Sequence, residues 1–192
     1  TSELVYNLID KDKITKEIAE ALYLGIVHDT GVFQYSCAGP STFRAAAELL
    51  ETGIDAADLI MDTFYEKSYA RMQIFGRALV ESFLFMEGKC IVSYIRKKVM
   101  DFYGVKPKDL DGIVSQLRNT RGVEVAIFMY ELDQNVFKVS LRSANEVDVS
   151  KIAGYFGGGG HEKASGVTMT GTPQDILNNL AERIDEQLKG QA

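Results

Sequence analysis

The chain has 192 residues, of which 46% are hydrophobic and 25% are charged, and its formal net charge at pH 7 is −6. This composition is that of a globular protein with enough apolar material for one large domain or two small ones. The negative charge excludes a global basic field for long nucleic acid, so the charge of a small anionic ligand must be met locally. There is no signal peptide or apolar run of membrane-spanning length, and the two cysteines have neither metal nor disulfide spacing. These features favour a cytoplasmic protein that does not enter a membrane.

The first part of the chain predicts helices that lead to a polar segment. Thr15 is a candidate N-cap for an apolar helix, and Gly25 is expected to close it. A short apolar run then delivers His28 and Asp29 to an edge of the fold. Asp29 is either a metal ligand or general base, or a cap or turn residue whose carboxylate accepts nearby amides. Taken alone, the residue favours the cap.

The pattern changes along the rest of the chain. Apolar and aromatic residues recur at helical intervals over residues 59–82, which predicts a helical connector. Residues 83–192 contain two predicted hairpins, the second across Asp133–Asn135, and a last helix that starts at Thr172. We therefore predict an α/β protein whose second part has a mixed sheet with helices packed against it.

Four consecutive glycines, Gly157–Gly160, are followed by His161 and then by a strand-like segment. Glycine has no side chain to place in a core, so such a run indicates positive φ angles or a close approach of the backbone to another group. Backbone amides beside an imidazole and a helix start would form a cradle for an anion. The simpler alternative is a glycine-rich turn between a helix and a strand.

Arg142 and Ser143 stand at the end of a predicted strand, and the glycine run follows after one short helix. The chain can therefore bring a guanidinium, a hydroxyl, glycine amides and the His161 imidazole around one phosphate. Alone, Arg142 would more simply be a surface salt bridge. Lys138 and Arg118 can add positive charge or remain solvated.

Two motifs together resemble a known family. Residues 157–166 read GGGGHEKASG and follow VSLRS at 139–143, and this pair is similar to the signature of the DHH-associated domain. Residues 25–33 read GIVHDTGVF, which resembles the last metal-binding motif of the DHH catalytic lobe. The resemblance covers essentially the whole chain and is to the DHH phosphoesterase superfamily, in particular its bacterial nanoRNase/pAp phosphatase (NrnA-like) branch.

The resemblance implies a manganese-dependent phosphoesterase that acts on short oligoribonucleotides (nanoRNA), on pAp, or on both. Asp29 would be the catalytic residue of this chain and a ligand of a two-manganese cluster, which would generate a hydroxide and stabilise the reacting phosphate. The substrate's other phosphate or terminal nucleotide would be held by Arg142, Ser143, Gly158, Gly159, Gly160 and His161. No role is assigned to His28.

The resemblance also implies a division of the chain. Residues 1–58 would be the C-terminal part of the DHH catalytic domain, 59–82 the connector and 83–192 the DHH-associated substrate-binding domain. The upstream motifs that supply the remaining metal ligands are absent, so we expect a fragment of a longer enzyme that is inactive by itself. The family's final Ala-Ala-Gly stands here as Ala-Ser-Gly at 164–166, which adds a hydroxyl.

Other functions remain open from the sequence. A non-catalytic nucleotide-binding module would use the same phosphate cradle without metals. A cyclic-di-AMP phosphodiesterase would use the same motifs on another substrate, and a purely structural α/β domain would need the glycines only for a turn. The oligomeric state is also open, and a homodimer is one possible assembly.

Overall fold

The computed structural model describes residues 1–190 and divides the chain into two compact units, Thr1–Lys67 and a second that begins at Ser68. Each unit has its own hydrophobic core. Among residues 1–190, no helix combines the length and the apolar character needed to cross a membrane. The predicted limits at residues 58 and 82 stay predictions.

The first unit is helical, and its core lies between α1, α2 and α3, where Tyr6, Ile26 and Leu49 are buried. α2 begins where the Thr15 hydroxyl accepts a hydrogen bond from the amide of Ile18, as expected for an N-cap. Its helices are α1 (Ser2–Leu8), α2 (Lys16–Asp29), α3 (Pro40–Leu50) and α4 (Ala56–Ile60), with a 3-10 turn at Lys11–Lys13 and a π-helical turn at Met61–Tyr65.

The prediction that Gly25 ends α2 is wrong, because the helix continues to Asp29. A Cβ placed on Gly25 would lie only 2.0 Å from the Oγ atom of Ser2, in the first turn of α1. Gly25 therefore allows α1 and α2 to approach closely, and this close approach explains a residue that usually weakens a helix interior. As a consequence, Asp29 is the last residue of α2.

The second unit is built on a six-stranded mixed sheet in the order β1-β2-β3-β4-β6-β5. β2 and β3 are parallel and all other neighbours are antiparallel, which confirms the predicted mixed sheet with helices against it. The strands are β1 (Phe83–Phe85), β2 (Cys90–Ile95), β3 (Val125–Asp133), β4 (Val136–Ser143), β5 (Gly159–His161) and β6 (Ala164–Thr170). The helices are α5 (Tyr69–Val80), α6 (Lys97–Tyr103), α7 (Ile113–Arg118), α8 (Val149–Tyr155) and α9 (Pro173–Lys189), with a 3-10 turn at Pro107–Leu110.

The two faces of this sheet are covered to different extents. On one face, α8 and α9 pack over β2, β3, β4 and β6, with Phe137, Leu141 and Val167 in the core. On the other face, α5, α6 and α7 pack mainly over β2 and β3, where Ala126 and Phe128 are buried. The second face is left accessible over β4, β6 and β5, and the candidate site lies there.

Candidate functional site

The register of β4, β6 and β5 sets which side chains share a face. Directly paired residues of antiparallel strands point to the same face, and so do alternate residues along one strand. This rule places eight residues on one accessible surface, which we call the open face. Its three rows are Arg142–Ala164–His161, Ser140–Gly166–Gly159 and Lys138–Thr168.

The open face is reachable from solvent. None of its eight residues is buried, whereas the alternate residues of the same strands, such as Leu141 and Val167, are buried on the opposite face. The middle strand contributes only Ala164 and Gly166 to the first two rows. In these two rows the polar side chains of β4 and β5 therefore lie on either side of β6, where only the methyl group of Ala164 projects from the backbone.

Arg142 provides a positive charge that has no carboxylate partner among residues 1–190. Its side chain is half-buried and its Nη1 atom donates to the Leu141 carbonyl at 2.9 Å. Burial lowers the pKa of Arg142, and the positive charge of Arg118 at the end of α7 lowers it further. Within residues 1–190, neither arginine forms an ion pair with a carboxylate. Because a guanidinium stays protonated in proteins, this corner of the open face favours an anion.

The first two glycines of the run end α8. Gly157 has a φ of +79° and its amide donates to the Gly154 carbonyl at 3.0 Å, while the Gly158 amide donates to the Ala153 carbonyl at 2.8 Å. Both amides thus cap the C-terminus of a helix. The helix start expected beside the glycines is not there, because β5 follows them, so a helix dipole does not help to bind an anion at this position.

The last three glycines differ in what they contact. A Cβ on Gly158 would lie 2.4 Å from the Gly166 carbonyl oxygen, and one on Gly160 would lie 2.5 Å from that of Ala164. Both are therefore required by the close approach of this segment to β6. Gly159 has no positive φ, and a Cβ on it would meet nothing within 4 Å. Neither backbone conformation nor packing explains why residue 159 lacks a side chain.

The structure brings Arg142, His161 and Gly159 to the open face but leaves the Ser143 hydroxyl outside it. His161 is exposed, in the same row as Arg142. Ser143 follows Arg142 and so points to the opposite face, where its buried hydroxyl donates to the Glu162 carbonyl at 3.3 Å. Its position favours a structural role, in which it ties the end of β4 to the turn between β5 and β6.

Sequence reasoning missed Glu124, the buried carboxylate that holds the segment after Ser143. Its oxygens accept the backbone amides of Asn145, Glu146 and Val147 at 2.6 to 3.2 Å. Charge-assisted bonds of this kind fix the path of the chain from β4 to α8. An acidic residue directly before the apolar strand Val125–Asp133 was the available signal. The hydroxyl of Ser165, noted as a departure from the family, is also structural and donates to the Val149 carbonyl at 2.6 Å.

Asp29 lies in the first unit with its side chain 47% exposed. It accepts hydrogen bonds from the amino group of Thr1 at 2.7 Å and from the Ser2 amide at 3.3 Å, and these two bonds, the first above all, lower the pKa of its carboxyl group. His28 is exposed and its ring contacts that of Phe64. Among residues 1–190, no group of three or more His, Cys, Asp or Glu side chains could hold a metal ion. The described residues therefore do not by themselves fit the two-manganese site that the resemblance implies.

An unusual turn follows Asp29. Three consecutive residues, Gly31, Val32 and Phe33, have φ angles of +57°, +56° and +62°. A left-handed backbone is strained for a β-branched residue such as Val32. The buried hydroxyl of Thr30 holds this turn, since it donates to the Ile26 carbonyl at 2.7 Å and accepts the Phe33 amide at 3.0 Å.

Comparison with known proteins places this geometry in a family. The family model described as the DHHA1 domain matches residues 87–190. The bifunctional oligoribonuclease and PAP phosphatase NrnA of Thermus thermophilus is 31% identical over 191 residues, which are 98% of this chain and 57% of that protein. The protein of the same name from Bacillus subtilis is 28% identical over 173 residues, which are 88% of this chain and 54% of that protein.

A solved structure agrees with these relatives. An exopolyphosphatase-related protein from Bacteroides fragilis superposes with a TM-score of 0.89 at 28% identity, over 96% of this chain and 56% of that one. The chain thus spans little more than half the length of these three proteins. The resemblance inferred from the glycine and Arg-Ser motifs is confirmed. Since the family model matches more than half of its residues, this chain belongs to the DHHA1 domain family.

Proposed function

We propose that this chain is the substrate-binding part of a phosphoesterase that acts on short oligoribonucleotides or on adenosine 3′,5′-bisphosphate (pAp). The observation that carries the proposal is the first row of the open face. It combines a half-buried arginine, which has no carboxylate partner in the described part of the chain, an exposed histidine and the small Ala164 between them. The names of the NrnA relatives support the substrate class.

The chemistry of the open face suits a phosphate group. A guanidinium donates two parallel hydrogen bonds to phosphate oxygens, and an imidazole adds a third donor. Gly159 allows the ligand to lie directly on the backbone of β5, which accounts for a glycine that the fold itself does not require. Contacts to phosphate do not distinguish one base from another. Binding at the open face therefore depends on where the phosphate lies in the substrate and not on the base sequence.

In the longer protein, Asp29 would hold a manganese ion together with ligands from outside this chain. Such ions supply an activated water and stabilise charge on the reacting phosphate. This chain's own residues bind and orient the substrate. The two cysteines, both free, are consistent with the cytoplasm as the compartment of this activity.

The binding step is tested by calorimetric titration of pAp into the 192-residue chain and its Arg142→Met variant. We expect Arg142→Met to weaken binding at least tenfold, roughly the effect of losing charge-assisted hydrogen bonds. The melting temperature should not fall, because the arginine has no ion pair to lose within residues 1–190. Arg77→Met is the matched control, since Arg77 on α5 pairs with Glu81 and lies outside the open face. Equal affinities of wild type and Arg142→Met would overturn the proposal.

The separation of binding from hydrolysis needs a second measurement. We expect the 192-residue chain to bind pAp and a short oligoribonucleotide but not to hydrolyse either one in the presence of manganese. Product formation is followed by chromatography over a time long enough for many turnovers. Robust turnover by this chain would show that Asp29 does not depend on ligands from outside it.

A further inference from the structure

Lys138 is a second cation on the open face that the proposed grip on one phosphate does not use. Its side chain is half-buried and, within residues 1–190, pairs with no carboxylate. It does not extend straight into solvent. Its Cε atom lies 3.9 Å from the position that a Cβ on Gly166 would occupy. Since Gly166 belongs to the row of Ser140, the lysine crosses diagonally toward the row that contains Arg142.

The spacing of the rows separates the two cations by about one step of a polynucleotide. Residues two apart on a strand are roughly 7 Å apart, so the head of Lys138 and the row of Arg142 are separated by about that distance. Ser140 shares its row with Gly166, one row from Arg142, and Gly166 offers no side chain that would block a ligand. When a single phosphate is bound by the Arg142 guanidinium, Lys138 has no anionic partner among the residues that the structure describes.

We propose that Lys138, with Ser140, forms a second phosphate subsite, so that the open face distinguishes ligands with two phosphate groups from ligands with one. This inference rests on the proposed function, because it assumes that Arg142 holds the first phosphate. Two successive phosphates of an oligonucleotide, the two of pAp, or a linear polyphosphate carry the required chemistry. Lys138 then determines specificity for ligands that carry a second phosphate group.

The test is a set of ligand titrations on the 192-residue chain, and binding is monitored by NMR so that weak affinities can be measured. The ligands are AMP, pAp, the dinucleotide pApA and tripolyphosphate, and the variants are Lys138→Met and Arg142→Met. Lys138→Met should weaken pAp and pApA roughly tenfold and change AMP less than twofold, as expected for one lost charge-assisted contact. Lys138→Arg should restore most of the loss. Lys151→Met, which removes an exposed lysine of α8, should change no ligand.

The outcomes separate the two levels of the inference. If Lys138→Met weakens AMP and pAp equally, or neither, the second subsite is overturned while the grip by Arg142 stands. If Arg142→Met changes none of the ligands, the proposed function itself fails. If Lys138→Met weakens the binding of tripolyphosphate as much as that of pAp, the subsite is supported and recognises the second phosphate alone. A dependence confined to pAp and pApA supports it and assigns it to nucleotides.

Discussion

Two short backbone segments adjoin the polar residues Asp29 and His161, and the two segments differ in how they use glycine. The turn at residues 30–33, after Asp29, is left-handed at three consecutive positions, of which only Gly31 is glycine. The run Gly157–Gly160, before His161, is glycine at every position but has positive φ only at its first and last residues. A positive φ therefore accounts for only two of the four glycines.

The difference follows from what surrounds each segment. Side chains hold the turn in place. The Thr30 hydroxyl forms hydrogen bonds to the backbone before and after the turn, and the Phe33 ring stacks on the Phe43 ring with 5.2 Å between the ring centroids. Such support lets strained residues persist. The glycine run instead lies against the backbone of β6, where a Cβ would overlap a carbonyl oxygen at residue 158 or 160. Space alone selects Gly158, whereas Gly160 is selected both by space and by its φ of +146°.

Alanine at two adjacent glycines gives the largest expected contrast. Gly158→Ala should destabilise the second unit by about 3 kcal/mol, because the new methyl meets the Gly166 carbonyl and Val167. Gly159→Ala should leave stability unchanged or raise it by about 0.5 kcal/mol, since its conformation suits alanine and its surroundings are open. Urea unfolding of both variants measures these values.

The same pair also tests the role of Gly159 in binding. We expect Gly159→Ala to melt like the wild type yet to bind pAp roughly tenfold more weakly, because its methyl would stand where the ligand rests. An alanine at 159 that binds pAp normally would remove the ligand as the reason for this glycine. Equal stability losses at 158 and 159 would remove the distinction based on space.

Removal of the Thr30 hydroxyl tests the side-chain support of the other segment. Thr30→Val should cost about 2 kcal/mol, since the Phe33 amide loses its buried acceptor. Thr30→Ser keeps the hydroxyl and loses only a methyl, so it should cost about 0.8 kcal/mol. Hydrogen exchange of the Phe33 amide should accelerate in Thr30→Val alone. Unchanged protection of that amide in Thr30→Val would mean that the stacked rings hold the turn without the hydroxyl.

The helix that leads into the glycine run should be sensitive to acid. The Ser150 hydroxyl, followed by the amides of Lys151 and Ser150, lowers the pKa of Asp148, the N-cap of α8. A carboxyl group with a lower pKa in the folded state stabilises the fold above its unfolded pKa of about 3.9, and this contribution is lost as the pH falls through the folded value. Asp148→Ala should therefore cost about 1 kcal/mol at pH 7 and much less at pH 3.

Asp148→Asn is the control for that acid dependence, because asparagine caps a helix as well as aspartate but does not titrate. Its stability relative to wild type should improve as the pH falls from 5 to 3. A constant difference between the two proteins over that range would place the acid sensitivity elsewhere.

The sequence predicted the fold of the second unit well, because β2 and β3 are apolar runs rich in β-branched and aromatic residues and Asp133–Asn135 marks a tight hairpin. The glycine and Arg-Ser motifs also identified the family. Other features depend on contacts distant in sequence and could not be read locally. Gly25 looked like a helix end because its neighbour Ser2 is 23 positions away. The register of the sheet determines which way the Ser143 side chain points, where the Lys138 side chain lies and which backbone amides Glu124 can bind.

The smallest expected effect concerns the strain at Val32 itself. Asparagine tolerates a left-handed backbone better than a β-branched residue does, so Val32→Asn relieves strain while it removes a half-buried apolar side chain. We expect these terms to offset, which leaves stability within about 0.5 kcal/mol of the wild type. Val99→Asn on α6 is the matched control, because Val99 is also half-buried but lacks a positive φ, and it should cost about 1.5 kcal/mol. If both substitutions lower the free energy of unfolding in urea by the same amount, the turn stores no strain. The two segments would then differ only in whether a side chain has room at each position.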